Sequence, residues 1–187
     1  APADSPALPL HVVTQGGWEA LPGADFARAS GFRAKPGELV LLPGGDGLAG
    51  ALLGAPETPH GFGALPFTLP EDTTWRAEGA DAAEVTLGWC LGAYRFTRFK
   101  PGKRTPARLV AGPGHEDAAI EAAAIWRARD LINTPANHLG PAELAAAVAE
   151  IGAAHGARVE IIEGSALEQG FPAVAAVGQG SPRAPRG

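Results

Sequence analysis

The sequence predicts an α/β chain in two parts: a small α/β domain over residues 1–112, then the start of a second α/β domain over residues 113–187. Three observations predict it. Short apolar runs separated by glycine and proline fill the first part, the pattern of strands joined by turns. After Gly112-Pro-Gly114 the pattern changes to long alanine-rich helices, then to the order helix, strand, short helix, strand that marks a parallel layer. The composition, 45% hydrophobic and 19% charged, is that of a chain able to bury a core.

Residues 8–13 form an apolar run ending in two valines and read as a strand. Residues 25–30 read as a short helix stopped by Gly31, which tolerates the left-handed conformation of a helix C-terminus. The runs 38–43 and 48–53 flank Gly44-Gly-Asp-Gly47, so a hairpin is expected there. The stretch 54–72 is dense in glycine and proline and predicts no element. Residues 73–76 read as a strand.

Asp81 and Glu84 have capping-box spacing and open a helix. On it Ala83, Leu87, Leu91 and Tyr94 fall on one face. Gly88 and Gly92 lie four apart within it, each costing about 1 kcal/mol relative to alanine unless another element approaches closely. Residues 108–111 read as a strand.

Beyond Gly114 a long helix is expected over 116–132, with Ile120, Ala124, Ala128 and Leu131 as its apolar stripe. Pro135 drives Thr134 out of the helical region and ends it. Pro141 suits the first turn of a second helix running to about His155, with Leu144, Ala147, Val148 and Ile151 on one face. Residues 158–162 read as a strand. Ser165 and Glu168 have capping-box spacing over a single turn, and the continuous apolar run 173–177 reads as a strand buried on both faces.

Charge and composition exclude several functions. The net charge of -5 argues against a general nucleic-acid binder. The single cysteine, Cys90, cannot form an intrachain disulfide, which makes the reducing cytosol the simplest compartment. No run approaches the ~18 apolar residues of a membrane span, and the first residues lack the pattern of a signal peptide. The chain contains no Met, so either an initiator was removed or this is a piece of a longer chain.

The motifs are sparse. The five histidines, His11, His60, His115, His138 and His155, show no metal-ligand spacing. Cys90 lies within a helix with nothing nearby to activate it. Gly178-Gln-Gly180 follows a predicted strand, but the third glycine of a dinucleotide loop is missing, and Ser181 lacks the flanks of a nucleophile elbow. Residues 44–50 lack the Lys-Ser or Lys-Thr of a phosphate-binding loop. Arg95, Arg98, Lys100, Lys103, Arg104 and Arg108 interleave with Tyr94, Phe96 and Phe99. They read either as a phosphate-contacting surface or as a solvated connector near a helix C-terminus. Arg129-Asp-Leu-Ile-Asn-Thr-Pro-Ala-Asn137 is a specified helix end, in which Asn133 and Asn137 are expected to hydrogen-bond the backbone of the Pro135 turn.

Those nine residues resemble the opening of the catalytic domain in the leucyl aminopeptidase family (cytosol aminopeptidases, peptidase family M17). The similarity continues through the Pro141 helix, residues 159–162 and Ala173-Val-Ala-Ala-Val-Gly-Gln-Gly-Ser181. Leu91-Gly-Ala-Tyr-Arg-Phe96 resembles the helix that ends the family's N-terminal domain. The resemblance implies a macro-like N-terminal α/β domain followed by the truncated start of an α/β catalytic domain. It implies an enzyme that removes N-terminal amino acids from peptides using two divalent metal ions, zinc or manganese. It also implies a cytoplasmic homo-oligomer, the family hexamer, and a downstream segment carrying the catalytic centre. The family's ligand motifs, around Asp-Ser-Gly-Gly and Asn-Thr-Asp-Ala-Glu-Gly-Arg, do not occur here, and no lysine follows Lys103. No catalytic, metal-binding or substrate-binding residue is therefore assigned, and the chain alone is expected to be inert. The competing expectation is a macro-like module that binds nucleotide, ADP-ribose or nucleic acid.

Overall fold

The computed structural model describes residues 1–180 apart from Ala3 and Asp46. By its contacts the chain divides into two compact units, Ala1–Arg127 and Ala128–Gly187.

The first unit is built on a five-stranded sheet in the order β2-β3-β1-β4-β5. Its strands are β1 (Leu8–Val13), β2 (Leu39–Gly44), β3 (Gly47–Gly54), β4 (Thr74–Glu78) and β5 (Arg108–Leu109). The expected hairpin is present, with β2 antiparallel to β3. The first strand lies at the centre, parallel to β3 on one side (Leu10 opposite Ala51) and to β4 on the other (Leu10 opposite Ala77).

Alternation along β1 builds two cores. Leu10 and Val12, with Ala51, Leu53 and Trp75, face Phe62, Leu65, Leu69, Val85 and Trp89. Val13 and Leu52 face the opposite way, into Trp18, Ala24, Ala27 and Phe32 around helix α1 (Ala24–Ala29). The sheet is thus covered on both faces, as parallel strands require. Gly31 ends α1 with φ 86°, as its position predicts.

The stretch 54–72 does form structure: a 3-10 helix, Pro59–Ala64, runs into the short helix α2 (Leu65–Thr68). Its cause lies elsewhere in the chain. Helix α3 (Ala82–Ala93) presents Gly88 and Gly92 to this segment, and their bare backbone lets the two elements touch. The side chain of Asp81 caps α3, accepting from the N–H groups of Ala83 and Glu84 at 3.0 Å each. The buried face of α3 carries Val85, Thr86, Gly88 and Trp89. This corrects the expected face of Leu87, Leu91 and Tyr94, because the glycines, and not the leucines, set the side of closest approach.

Helix α4 (Glu116–Asn133) matches its expected span, but the stripe is displaced. Ala118 and Ala122 are buried, whereas Ile120 is 64% exposed. The small alanines pack closely and Trp126 anchors the same region, its Nε1 donating to the Cys90 carbonyl at 2.8 Å. The division between the compact units falls inside α4, whereas the sequence reading places its boundary at Gly112–Gly114.

The second unit contains the end of α4, α5 (Pro141–Ala154), α6 (Ser165–Gly170) and α7 (Pro172–Gly178). Two expected strands are corrected here. Residues 173–177 are helical: Pro172 occupies the first turn of α7, and alanine favours helix where no neighbouring strand supplies ladder bonds. Residues 158–162 belong to no strand. Ser165 is the first helical residue of α6 and not its cap, a place taken by Gly164.

One loop of the first unit gives a pH prediction. The Glu38 carboxylate accepts from the backbone N–H groups of Lys35 (3.0 Å) and Arg33 (2.9 Å), which hold its pKa below the ordinary glutamate value. The stabilisation is fully present above the unfolded value of about 4.3 and disappears as pH falls through the folded value. The stability difference between wild type and Glu38→Gln is therefore expected to be widest at neutral pH and to close in acid. Urea melts across that range measure it.

Candidate functional site

Two places carry chemistry worth building from the residues upward. One is the helix end with its proline turn in the second unit; the other is the basic loop of the first.

At the end of α4 the buried polar residue is Thr134, 8% exposed. Its hydroxyl donates to the Asp130 carbonyl at 2.6 Å, and its N–H donates to the same oxygen at 3.0 Å. The turn then closes through His138 and Leu139, whose N–H groups donate to the Pro135 carbonyl at 2.8 and 3.0 Å. Asn133 and Asn137 are exposed. Thr134 is a buried pinning group of this helix end, one that the sequence reading passed over. Its position, one residue before a proline at a helix end, was the available signal.

Beside this turn lies an apolar groove of about 540 Å3, lined by Leu139, Pro141, Leu144, Val148, Val159, Ile161, Val174 and Val177 among others. The Glu143 carboxylate accepts from the Gly140 N–H at 2.9 Å and fixes the start of α5. Leu144, Val148 and Ile151, expected on one face of α5, are exposed at 46%, 49% and 39%. Arg158 and Glu160 form an exposed ion pair at 3.8 Å, and Val159, Glu160 and Ile161 all line the groove.

In the first unit, the basic run connects α3 to β5. The Arg95 guanidinium stacks over the Phe67 ring, 3.6 Å from its centroid. Arg104 donates to the Phe67 and Leu69 carbonyls and pairs with Glu71 through Nε at 3.1 Å. Phe96 packs edge-on against Phe99 and Tyr94 against Trp126, each at 5.8 Å. Tyr94 is therefore a packing residue and not a free stacking platform.

The remaining candidates hold no catalytic arrangement. Burial raises the Cys90 thiol pKa, the opposite of what a nucleophile needs. His11 pairs with Glu78 across β1 and β4 at 3.1 Å, and His115 Nδ1 lies 2.7 Å from the Gly112 carbonyl. Among the described residues no three His, Cys, Asp or Glu side chains gather as a metal site. The described residues do not fit the two-metal centre that the resemblance implies. Ser181 lies outside the described residues. β4 ends at Glu78 and α3 begins at Ala82, so the N-terminus of α3 follows the carboxyl end of β4, the side on which an open α/β sheet seats a nucleotide. The helix N-terminus is filled by the carboxylate of Asp81, which occupies the N–H groups a phosphate would use.

Comparison with known proteins matches two successive family domains. Residues 17–112 match the M17 aminopeptidase N-terminal domain. Residues 126–187 match the catalytic domain of the cytosol aminopeptidase family. Both matches are to domains of a peptidase. The chain belongs to the M17 family, the cytosol aminopeptidases. It is 35% identical over 192 aligned residues to a probable cytosol aminopeptidase of Nocardia farcinica, an alignment covering 87% of this chain and 38% of that protein. A probable cytosol aminopeptidase of Mycobacterium leprae is 39% identical over 54% of this chain and 22% of its own length. Among solved structures, the cytosol aminopeptidase of Coxiella burnetii matches with a TM-score of 0.85 and 29% identity, over 98% of this chain and 43% of that one. The bottromycin maturation enzyme BotP matches with a TM-score of 0.76 and 28% identity, over 97% and 45%. The chain thus spans less than half the length of these relatives and corresponds to their N-terminal part. Among the described residues no helix is long and apolar enough to cross a membrane.

Proposed function

We propose that this chain is the N-terminal part of a metal-dependent aminopeptidase that releases N-terminal amino acids from peptides. In this reading residues 1–112 are the N-terminal domain and residues 113–187 begin the catalytic domain. The observation that carries it is the consecutive match of the two family domains in their expected order. The exposed groove of the second unit supports it, because the sheet of a complete catalytic domain would cover apolar side chains such as Val177, now 83% exposed.

The metals belong to the downstream segment. Manganese is favoured by one relative, BotP, solved in complex with Mn at 26% identity and a TM-score of 0.74; zinc is the other candidate. Bound there, a divalent ion would polarise the scissile carbonyl and lower the pKa of a water. The role of residues 1–187 is scaffold, with assembly into a homo-oligomer, the hexamer of the resemblance, in the cytoplasm.

The test is a pair of assays with a leucine anilide and added manganese or zinc. The chain extended through the family's ligand motifs is expected to turn over substrate and to stop on chelation. The 187-residue chain alone is expected to show no chelator-sensitive turnover. Turnover by the pure short chain would overturn the placement of the centre, and an inert, folded, metal-loaded long chain would overturn the aminopeptidase reading.

A further inference from the structure

We propose that the pocket between Phe67, Arg95, Lys103 and Arg104 is a binding site for a phosphate dianion, free or as a small phosphomonoester. It stands apart from the aminopeptidase reading and rests on residues of the first unit alone.

The pocket has a volume of about 390 Å3 and is lined by Phe67, Arg95, Gly102, Lys103 and Arg104. Three cationic side chains line it, and two of them are held by contacts with the protein. Arg104 is fixed by the carbonyls of Phe67 and Leu69 and by Glu71. Arg95 is fixed by its stack on Phe67 and by the carbonyls of Tyr94 (2.6 Å) and Gly92 (3.2 Å), both reached through Nη1. A guanidinium has five N–H donors. The Nε and Nη2 hydrogens of Arg95 and the second hydrogen on each Nη of Arg104 are left for a ligand, together with the ammonium of Lys103. Because both arginines are already held in place, little side-chain freedom remains to be lost on binding.

Charge selects the ligand. Three cations and one paired carboxylate, Glu71, leave a local balance of two positive charges. A phosphate monoester carries about -1.5 to -2 at neutral pH, whereas a carboxylate carries one charge and accepts fewer donors. No acidic residue occurs in the sequence between Glu84 and Glu116, so among the described residues the only carboxylate paired with these cations comes from outside that segment, Glu71. Charge-assisted N–H to oxygen bonds from arginine are the recurring means of holding such an anion.

Calorimetric titration of the 187-residue chain with inorganic phosphate and with phosphoserine tests the site, in low and in high sodium chloride. Saturable one-to-one binding that weakens with salt is expected. Lys103→Gln, at an exposed position where folding is not at stake, is expected to weaken it about tenfold, the size of one charge-assisted hydrogen bond. Arg95→Gln is expected to do at least as much. Tighter binding of phosphoserine would identify the esterified form as the better ligand; tighter inorganic phosphate would identify the free ion. Absence of saturation, equal binding by wild type and Lys103→Gln, or binding seen only with an oligonucleotide would each overturn the proposal.

Discussion

Gly92→Ala is expected to destabilise the first unit by about 3 kcal/mol or more, and Gly88→Ala to do the same. Helix propensity alone predicts the opposite sign, since alanine gains about 1 kcal/mol over glycine inside a helix. Sterics decide the outcome. A Cβ on Gly92 would lie 1.8 Å from the Gly63 carbonyl oxygen, and one on Gly88 would lie 1.7 Å from that of Pro59. Both obstacles are backbone, so no side chain can swing aside. Either α3 or the 3-10 helix has to move, separating Trp89 and Val85 from Phe62 and Leu65. Overpacking of a tight core costs about 1–3 kcal/mol and more when nothing yields. Near-UV circular dichroism during urea unfolding reads the loss, and a stabilised Gly92→Ala would show that the close contact is absent.

Trp75→Ala is expected to cost about 3–5 kcal/mol, the range for removing a large buried ring. Trp75 is fully buried on β4 and contributes to the larger of the two cores. Its Nε1 donates to the Thr73 hydroxyl at 2.7 Å, so the ring also holds the entry to its own strand. Against a typical total of about 5–15 kcal/mol, the variant would be largely unfolded when warmed. Trp75→Phe keeps most of the apolar volume and is expected to retain a cooperative transition at lower denaturant. Equal losses for both variants would place the stabilisation in the indole N–H and not in packing.

What the sequence revealed follows the range of the interaction that shapes each element. The β2–β3 hairpin was legible because Gly44, Gly45 and Gly47 sit where its two strands meet. Helix α3 was legible because Asp81 is adjacent to the N–H groups it caps. The 3-10 segment Pro59–Ala64 was not, because its partners Gly88 and Gly92 come much later in the chain. Residues 173–177 were misread because a short apolar run looks alike as a buried strand or a short helix. Pro172 held the answer as a helix-starting residue. The apolar stripes of α4 and α5 could be read as periodic patterns, but whether each is buried depends on what lies opposite, which local sequence does not show. At the candidate sites, the basic run was visible from composition, but its folding around Phe67 rests on contacts from Arg95 and Arg104 that local sequence does not show. The importance of Thr134 was hidden by the two asparagines near it.

The central position of β1 has a consequence for biosynthesis. This strand leaves the ribosome before every other strand of its sheet, yet its two neighbours are β3 and β4. At ~5–20 residues per second, several seconds separate the synthesis of Val13 from that of Thr74. During that interval Leu10 and Val12, destined for the interior, have no partner on the β4 side. The nascent chain therefore spends its early life with an apolar segment that only later sequence can shelter. A ribosome stalled after β3 would hold a species that trigger-type chaperones should bind, and one stalled beyond β5 would not.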